Sequence, residues 1–388
     1  MSDEPLHLVD ATMFWSPTGG GVRRYLQTKH AWLARQPRWR HTIAVPRVAG
    51  AGADAATLPS WPLPASGGYR LPLRRRAIAR VLVELRPDLI EAGDPYRVAW
   101  GALDAARSLG IPALAYCHSN VAAMARLAAG PFATAAARAA ERYARHLYRR
   151  FELVLAPSED MAARLRHWGV DRVACQPLGV DTDTFHPRAR DRAWRQRHGW
   201  SEATRVLVYA GRFAAEKHLD VLAAAVARLG DPYVLVAIGA GPVPPRGDRV
   251  VVLPFVASSR ELATALASAD AFVHAGDQET FGLSALEAMA CATPAVLRAS
   301  AGLAELCDGV GAIGVAAGSA AAFAEQVDAL FAGDREQRSQ AARARAEASD
   351  WERVFPALLG HYQRLVGARA AIAAPLAGNA DTTAALQR

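Results

Sequence analysis

At 388 residues the chain exceeds the size at which a single core keeps growing, so two domains are expected, each able to bury a core of its own. Apolar residues make up 52% and charged residues 21%, which excludes extensive disorder, and no run reaches the roughly 18 uninterrupted apolar residues of a membrane span. The positive charge is lopsided: residues 1–190 hold 26 Lys+Arg against 16 Asp+Glu, a net of +10, while the remainder holds 19 against 21.

Such a basic half is drawn to a phospholipid leaflet, an acidic partner or nucleic acid; alternatively its arginine-rich helices are simply solvated. The N-terminus, Met1-Ser2-Asp3-Glu4, lacks the basic and apolar regions of an export signal. A cytoplasmic protein is expected, free or resting on the inner face of the cytoplasmic membrane. Cys117, Cys175, Cys291 and Cys307 form no Cys-x-x-Cys pair, give no zinc signature and read as buried small residues.

Along the chain, β-branched apolar runs at 6–12, 41–46, 88–92, 113–118, 151–158 and 172–177 alternate with amphipathic stretches. After Gly21, Val22, Tyr25, Leu26, Trp32 and Leu33 fall at helical spacing, and Arg23, Arg24 and Lys29 are expected to turn away from that face. Strand and helix in alternation imply a parallel sheet covered on both sides. The rhythm restarts at 205–211, 233–239, 249–255, 271–275 and 295–297. The fold class is therefore α/β, with two doubly wound, Rossmann-like domains facing a cleft.

The seam falls where Gly179, Asp181, Asp183 and Pro187 break the pattern, which divides the chain into 1–187 and 188–350. A final helix over 351–368 is expected to cross back to the first domain, and an Ala-rich tail over 369–388 to fray. A basic amphipathic helix is expected over 69–85.

In such sheets ligands bind at the carboxyl ends of the strands, so the loops there carry the chemistry. The first strand runs into Pro17-Thr18-Gly19-Gly20-Gly21-Val22 ahead of a helix. Gly20 and Gly21 let backbone amides approach a phosphate, or merely tighten a turn. Tyr116-Cys117-His118-Ser119-Asn120 ends another strand, where His118 can touch a ligand or relay a proton.

In the second half, Arg212 and Lys217 flank the turn after 205–211 and can grip a diphosphate. Lys29 and Lys217 are the only lysines among 45 basic residues, which makes a lysine at this turn conspicuous. Gly239-Ala240-Gly241-Pro242 and Phe255-Val256 close the next two strands, and Val256 is placed to receive a planar base against its backbone. The most informative segment is Glu279-Thr280-Phe281-Gly282-Leu283-Ser284-Ala285-Leu286-Glu287. A helix opening near Gly282 exposes amides to an anion, while Glu279 and Glu287 can each accept two hydroxyls of a sugar ring. Asp181-Thr182-Asp183 spells a pattern associated with metal-bound nucleotide sugars, but it lies in the seam without a third carboxylate and reads as a turn.

Together these segments resemble the retaining glycosyltransferases of family four, which have the GT-B fold. The likeness is carried by Gly20-Gly21-Val22, by residues 178–185, by Gly211-Arg212-Phe213 through Glu216-Lys217, by Gly239 to Pro242, and by Glu279 to Thr293. It implies that Arg212 and Lys217 bind the donor diphosphate, that Glu279 and the amides of Thr280, Phe281, Gly282 and Leu283 bind the hexose, that Glu287 binds the ribose and that His118 lies beside the sugar. It also implies a metal-independent enzyme with no cofactor beyond its nucleotide-sugar co-substrate, UDP-glucose or GDP-mannose in type; because this fold usually takes its acceptor on the first domain, the +10 charge there suggests a lipid-linked or glycan acceptor. Closure of the first domain would bring Gly20 and Gly21 onto the diphosphate, and same-face attack by the acceptor would retain the anomer.

Two departures stand out: Cys291-Ala292-Thr293-Pro294 where relatives commonly show Cys-Gly-Thr-Pro, and Ala301-Gly302-Leu303-Ala304-Glu305 where Gly-Gly-Leu-Pro-Glu is common. Rival readings are a sugar-nucleotide epimerase and a non-catalytic nucleotide-sugar binder. Nucleic-acid binding is not expected, because Arg74-Arg75-Arg76 and Arg149-Arg150 lack interleaved stacking aromatics beyond Tyr148 and Phe151. The oligomeric state is left open.

Overall fold

The computed structural model describes residues 4–16, 20–46, 55–63 and 68–378, with side chains to 368. In chain order the elements are β1 (Leu6–Ala11), α1 (Gly21–Leu33), β2 (Trp39–Pro46), β3 (Ala55–Leu58), β4 (Trp61–Pro62), β5 (Arg70–Leu71), α2 (Arg75–Glu84), β6 (Leu89–Ala92), α3 (Arg97–Leu109), β7 (Ala113–Tyr116), α4 (Val121–Ala128), α5 (Ala133–Tyr148), β8 (Leu153–Ala156), α6 (Glu159–His167) and β9 (Val173–Cys175). There follow α7 (Arg192–Arg197), β10 (Arg205–Arg212), α8 (Leu219–Leu229), β11 (Tyr233–Ala240), β12 (Val250–Leu253), α9 (Ser259–Ser268), β13 (Ala271–His274), α10 (Leu283–Ala290), β14 (Ala295–Arg298), α11 (Ala301–Ala304), β15 (Ala312–Val315), α12 (Ala320–Ala332), α13 (Arg335–Glu347) and α14 (Trp351–Gly378).

The chain parts into two compact units. The first comprises the described residues up to Ala156, Ala162–Gln176 and α14 from Phe355 onward; the second comprises Pro157–Met161 and Pro177–Val354. The division thus falls at Gln176, ahead of the broken stretch that suggested 187, because residues after it hydrogen-bond within the second unit: the Val180 amide donates to the Ser349 carbonyl at 3.0 Å.

In the first unit, seven parallel strands lie in the order β3-β2-β1-β6-β7-β8-β9. The second has six in the order β12-β11-β10-β13-β14-β15, again parallel throughout. Both sheets reverse direction of winding once, between β1 and β6 and between β10 and β13, which fixes where ligands bind. The strands are nearly continuous apolar runs because helices cover both faces; in the second unit Leu207, Leu235, Val273 and Val296 pack with Leu222, Val226 and Phe323.

Three expectations are corrected. The helix expected over 69–85 begins only at Arg75, because Arg70 and Leu71 pair with Pro62 and Trp61 as a small antiparallel hairpin and Pro72 follows. Cys117 and Cys291 are buried, but Cys175 and Cys307 are partly exposed. The last helix continues to Gly378, through residues expected to fray, in keeping with the high helix propensity of its alanines; 379–388 lie outside the described residues. In the first unit α14 packs Phe355 against Trp32 and Tyr362 against Trp39.

Candidate active site

In the second unit the loops leaving β10 and β13, on either side of the sheet's reversal, converge on one carboxylate. β10 ends at Arg212 and the chain tightens into a short 3-10 turn over Ala215–Lys217, which returns the lysine side chain to Glu279. Lys217 Nζ donates to Glu279 Oε1, and so does His274 Nε2 at 3.1 Å. The tautomer of His274 is fixed by its other nitrogen, since the Gly276 amide donates to Nδ1 at 3.0 Å. Oε2 of Glu279 accepts from neither residue and is the side of the carboxylate free of these two donors.

Burial alone would raise the Glu279 pKa, but the Lys217 ammonium and the His274 hydrogen bond outweigh it and hold the carboxyl well below the usual range. Burial lowers the pKa of His274 despite the carboxylate beside it. At neutral pH the cluster is therefore a carboxylate, an ammonium and a neutral imidazole. Sequence reasoning passed over His274; its signal was a histidine closing an otherwise apolar strand at the sheet's reversal.

Next to Glu279, Gly282 adopts φ +101° and starts α10 with no side-chain cap, so the first-turn amides face outward as donors. The loop is pressed into place from behind by Gly302, whose amide donates to the Glu279 carbonyl at 2.9 Å. A Cβ on Gly302 would come within 2.5 Å of the Thr280 carbonyl group, so only glycine fits. Thr280 and Leu283 are partly exposed and Phe281 is buried. Glu287, in the second turn of α10, is 2% exposed: the apolar frame around it does hold it inside.

Arg212 stands largely in solvent, 3.0 Å from Glu216 Oε1. Behind it the 239–242 turn is structural: the Phe213 amide donates to the Ala240 carbonyl, and Val243 donates to the Phe213 carbonyl. Val256 is half-buried in the loop after β12. Asp181 makes the expected turn, its Oδ1 accepting from the Asp183 and Thr184 amides. Among the described residues, no group of three His, Cys, Asp or Glu is arranged to hold a metal ion.

In the first unit, Gly20 caps α1 with open space around its Cα and Gly21 is the first helical residue; 17–19 lie outside the described residues. His118 follows β7 and stacks on Tyr116, ring centroids 4.3 Å apart and 8° from parallel, with Tyr25 beside it. Burial, then the nearby Lys29 ammonium, push its pKa down to about 3. It can exchange hydrogen bonds with a ligand but is a poor proton donor near neutrality.

Lys29, expected to face away, points inward. Its Nζ reaches Asp10 at 2.7 Å, Glu91 at 2.9 Å and the hydroxyls of Tyr25 and Tyr362 at 3.0 Å. Four polar partners make that burial tolerable, which a residue-type reading of α1 overlooks.

Residues 19–184 match the model of the family described as Glycosyltransferase Family 4, and residues 204–333 that of Glycosyl transferases group 1. The chain is 32% identical to a GDP-mannose-dependent alpha-(1-6)-phosphatidylinositol dimannoside mannosyltransferase of Mycobacterium tuberculosis, covering 91% of this chain and 95% of that one. The chain belongs to glycosyltransferase family 4. A second relative, a GDP-mannose-dependent alpha-mannosyltransferase of Mycolicibacterium smegmatis, is 34% identical over 83% of this chain and 86% of its own.

The GT-B fold is shared with a sucrose-phosphate synthase from Thermosynechococcus elongatus (TM-score 0.75, 20% identity, 94% of this chain and all of that one). It is shared too with Anabaena Alr3699/HepE in complex with UDP-glucose (TM-score 0.73, 16% identity, 93% of this chain and all of that one). As a member of family 4, the protein is a hexosyl-transferring enzyme that uses a nucleotide-sugar donor, and neither the epimerase nor the simple binder finds support among its relatives.

Proposed function

We propose that this glycosyltransferase moves a mannosyl group from GDP-mannose, with retention at the anomeric carbon and without a metal ion, to an acceptor carried by a lipid at a membrane face. The observation that carries the reading is the Lys217–Glu279–His274 cluster beside the uncapped start of α10. The carboxylate accepts hexose hydroxyls, while Lys217, Arg212 and the α10 amides take the charge that builds on the departing diphosphate. The family resemblance adds Glu287 at the ribose and His118 beside the sugar; by its position after β12 Val256 is offered to the base, and Gly20 and Gly21 are offered to the diphosphate.

In the step itself the anomeric C–O bond to the diphosphate breaks, a bond forms to the acceptor oxygen on the same face, and the acceptor's proton passes to the departing phosphate. Mannose and guanosine are supported by the names of the M. tuberculosis and M. smegmatis relatives. The lipid-borne acceptor is supported by the first of those names and by the +10 charge of residues 1–190. No helix among the described residues is long and apolar enough to cross a membrane.

Calorimetry against a panel of GDP- and UDP-sugars, with and without EDTA, tests the donor. GDP-mannose should bind tightest and be indifferent to EDTA; preference for a UDP-sugar, or loss of binding with the chelator, would refute the reading. Transfer followed by NMR of the product's anomeric proton tests retention.

A further inference from the structure

α4 and α5 form a helical hairpin that meets at a short turn, and the polarity of its tip is the reverse of an ordinary surface. Met124 is 49% exposed, Leu127 54% and Phe132 73%, all within nine residues. The hairpin does not need them for its own packing: α4 buries Val121 and Ala122, and α5 buries Ala137, Ala144, Leu147 and Tyr148. Scattered single apolar residues are normal on a surface, whereas three clustered at one tip mark a contact.

The charge around the tip identifies its partner. Residues 121–142 contain three exposed arginines, Arg126 on α4 and Arg138 and Arg142 on α5, against a single, partly exposed carboxylate, Glu141. An apolar tip ringed by arginine complements an anionic lipid face, where side chains enter the acyl boundary and guanidiniums meet phosphates. A protein partner of mixed charge gains nothing from so one-sided a rim.

The tip's place in the chain links it to the reaction. His118 precedes α4 by three residues, Asn120 caps the helix by accepting from the Ala123 amide at 3.0 Å, and α4 has eight residues. At 1.5 Å per residue the helix spans about 12 Å, so a bilayer touching the tip lies roughly a lipid headgroup's length from His118. We propose that the α4–α5 tip, Met124, Leu127 and Phe132 with Arg126 and Arg138, is the element that seats this enzyme on an anionic membrane, presenting the headgroup of a lipid-borne acceptor to the His118 end of β7. The inference rests on the lipid-acceptor reading above and adds the place of attachment.

The test is cosedimentation at low salt with phosphatidylcholine vesicles, with or without phosphatidylglycerol, comparing the wild type, Met124→Ser/Leu127→Ser/Phe132→Ser and Trp61→Ser/Leu73→Ser. The wild type should bind only the anionic vesicles, and the hairpin variant should lose more than about tenfold in partitioning while retaining its melting temperature and its affinity for GDP-mannose. If the wild type binds no vesicle, the lipid-acceptor reading falls and this inference with it. Binding by the hairpin variant equal to wild type overturns the inference alone, whether the Trp61/Leu73 variant is the one that detaches or size-exclusion shows the tip to be a self-association surface.

Discussion

Lys29 Nζ lies 2.7 Å from Asp10 Oδ2 with both side chains sealed from solvent, so a lysine on α1 is tied to the first strand of the sheet. Glu91 of β6 and Tyr362 of α14 complete the cage. Replacing Lys29 by Met keeps the length and removes the charge, leaving two buried carboxylates without their cation. Loss of one partner from such a cluster costs about 3–5 kcal/mol. Urea unfolding should show a lower midpoint at an unchanged slope; a midpoint like the wild type's would mean the cage contributes nothing.

Two carboxylates sharing one ammonium should also leave a mark on pH dependence. Burial pushes Glu91 up to about 7 against the pull of Lys29, whereas Asp10 is drawn down to about 2 because Lys29 and His41 outweigh its burial. Between its ordinary range and pH 7, Glu91 keeps its proton in the folded protein and loses it in the unfolded chain. Its contribution therefore falls as pH rises through that window and is flat above it. Glu91→Gln removes this pH-dependent contribution, so the stability of the variant minus that of the wild type should climb from about pH 4.5 to 7 and then level, by up to about 3 kcal/mol. Melting curves across pH measure the difference; no climb would contradict the raised pKa.

Lys29 also shows where sequence reading fails. Its position is legible, because 25, 29 and 32 follow the spacing of the buried face of α1, but its residue type argues for solvent. The partners come from β1, β6 and α14, far apart in sequence, and nothing local announces them. By contrast Glu279 and Gly282 could be read in place, since a helix start and its preceding loop are local chemistry. Of the missed strands, β4 and β5 are two residues each, too short to show a period, and β3 and β15 are half alanine or glycine, residues that do not favour strands.

Ala292 adopts φ +57°, a left-handed conformation that a side chain resists, at the position where the family resemblance leads one to expect glycine. Ala292→Gly relieves that strain and should stabilise the protein by about 1 kcal/mol, reduced somewhat by glycine's greater freedom in the unfolded chain. Differential scanning calorimetry reads the shift, and a lower melting temperature would show that the strain is offset by contacts of the methyl group.

Lys217→Ala removes the ammonium beside Glu279 and, on the proposed mechanism, a stabiliser of the leaving diphosphate. Loss of one such group costs on the order of 100-fold or more in kcat. Circular dichroism should be unchanged, because the largely buried lysine ends a short 3-10 turn and its side chain supports no helix or strand hydrogen bond. Kinetics within a factor of about three of wild type would remove Lys217 from the mechanism.

His274→Asn tests whether the histidine positions Glu279. The imidazole holds the loop at both ends, accepting from Gly276 and donating to Glu279, and asparagine is too short to span them. With one donor gone the carboxylate is less stabilised and its pKa should rise, since the hydrogen bond from His274 now favours ionisation. The acid limb of kcat/KM should therefore move toward neutral pH, and KM for the donor should rise more than kcat falls. A residue that only filled space behind the loop would lower stability and leave the acid limb where it was. His274→Gln, long enough to reach Glu279, should restore part of the wild-type profile, and failure of both shifts would return His274 to the core.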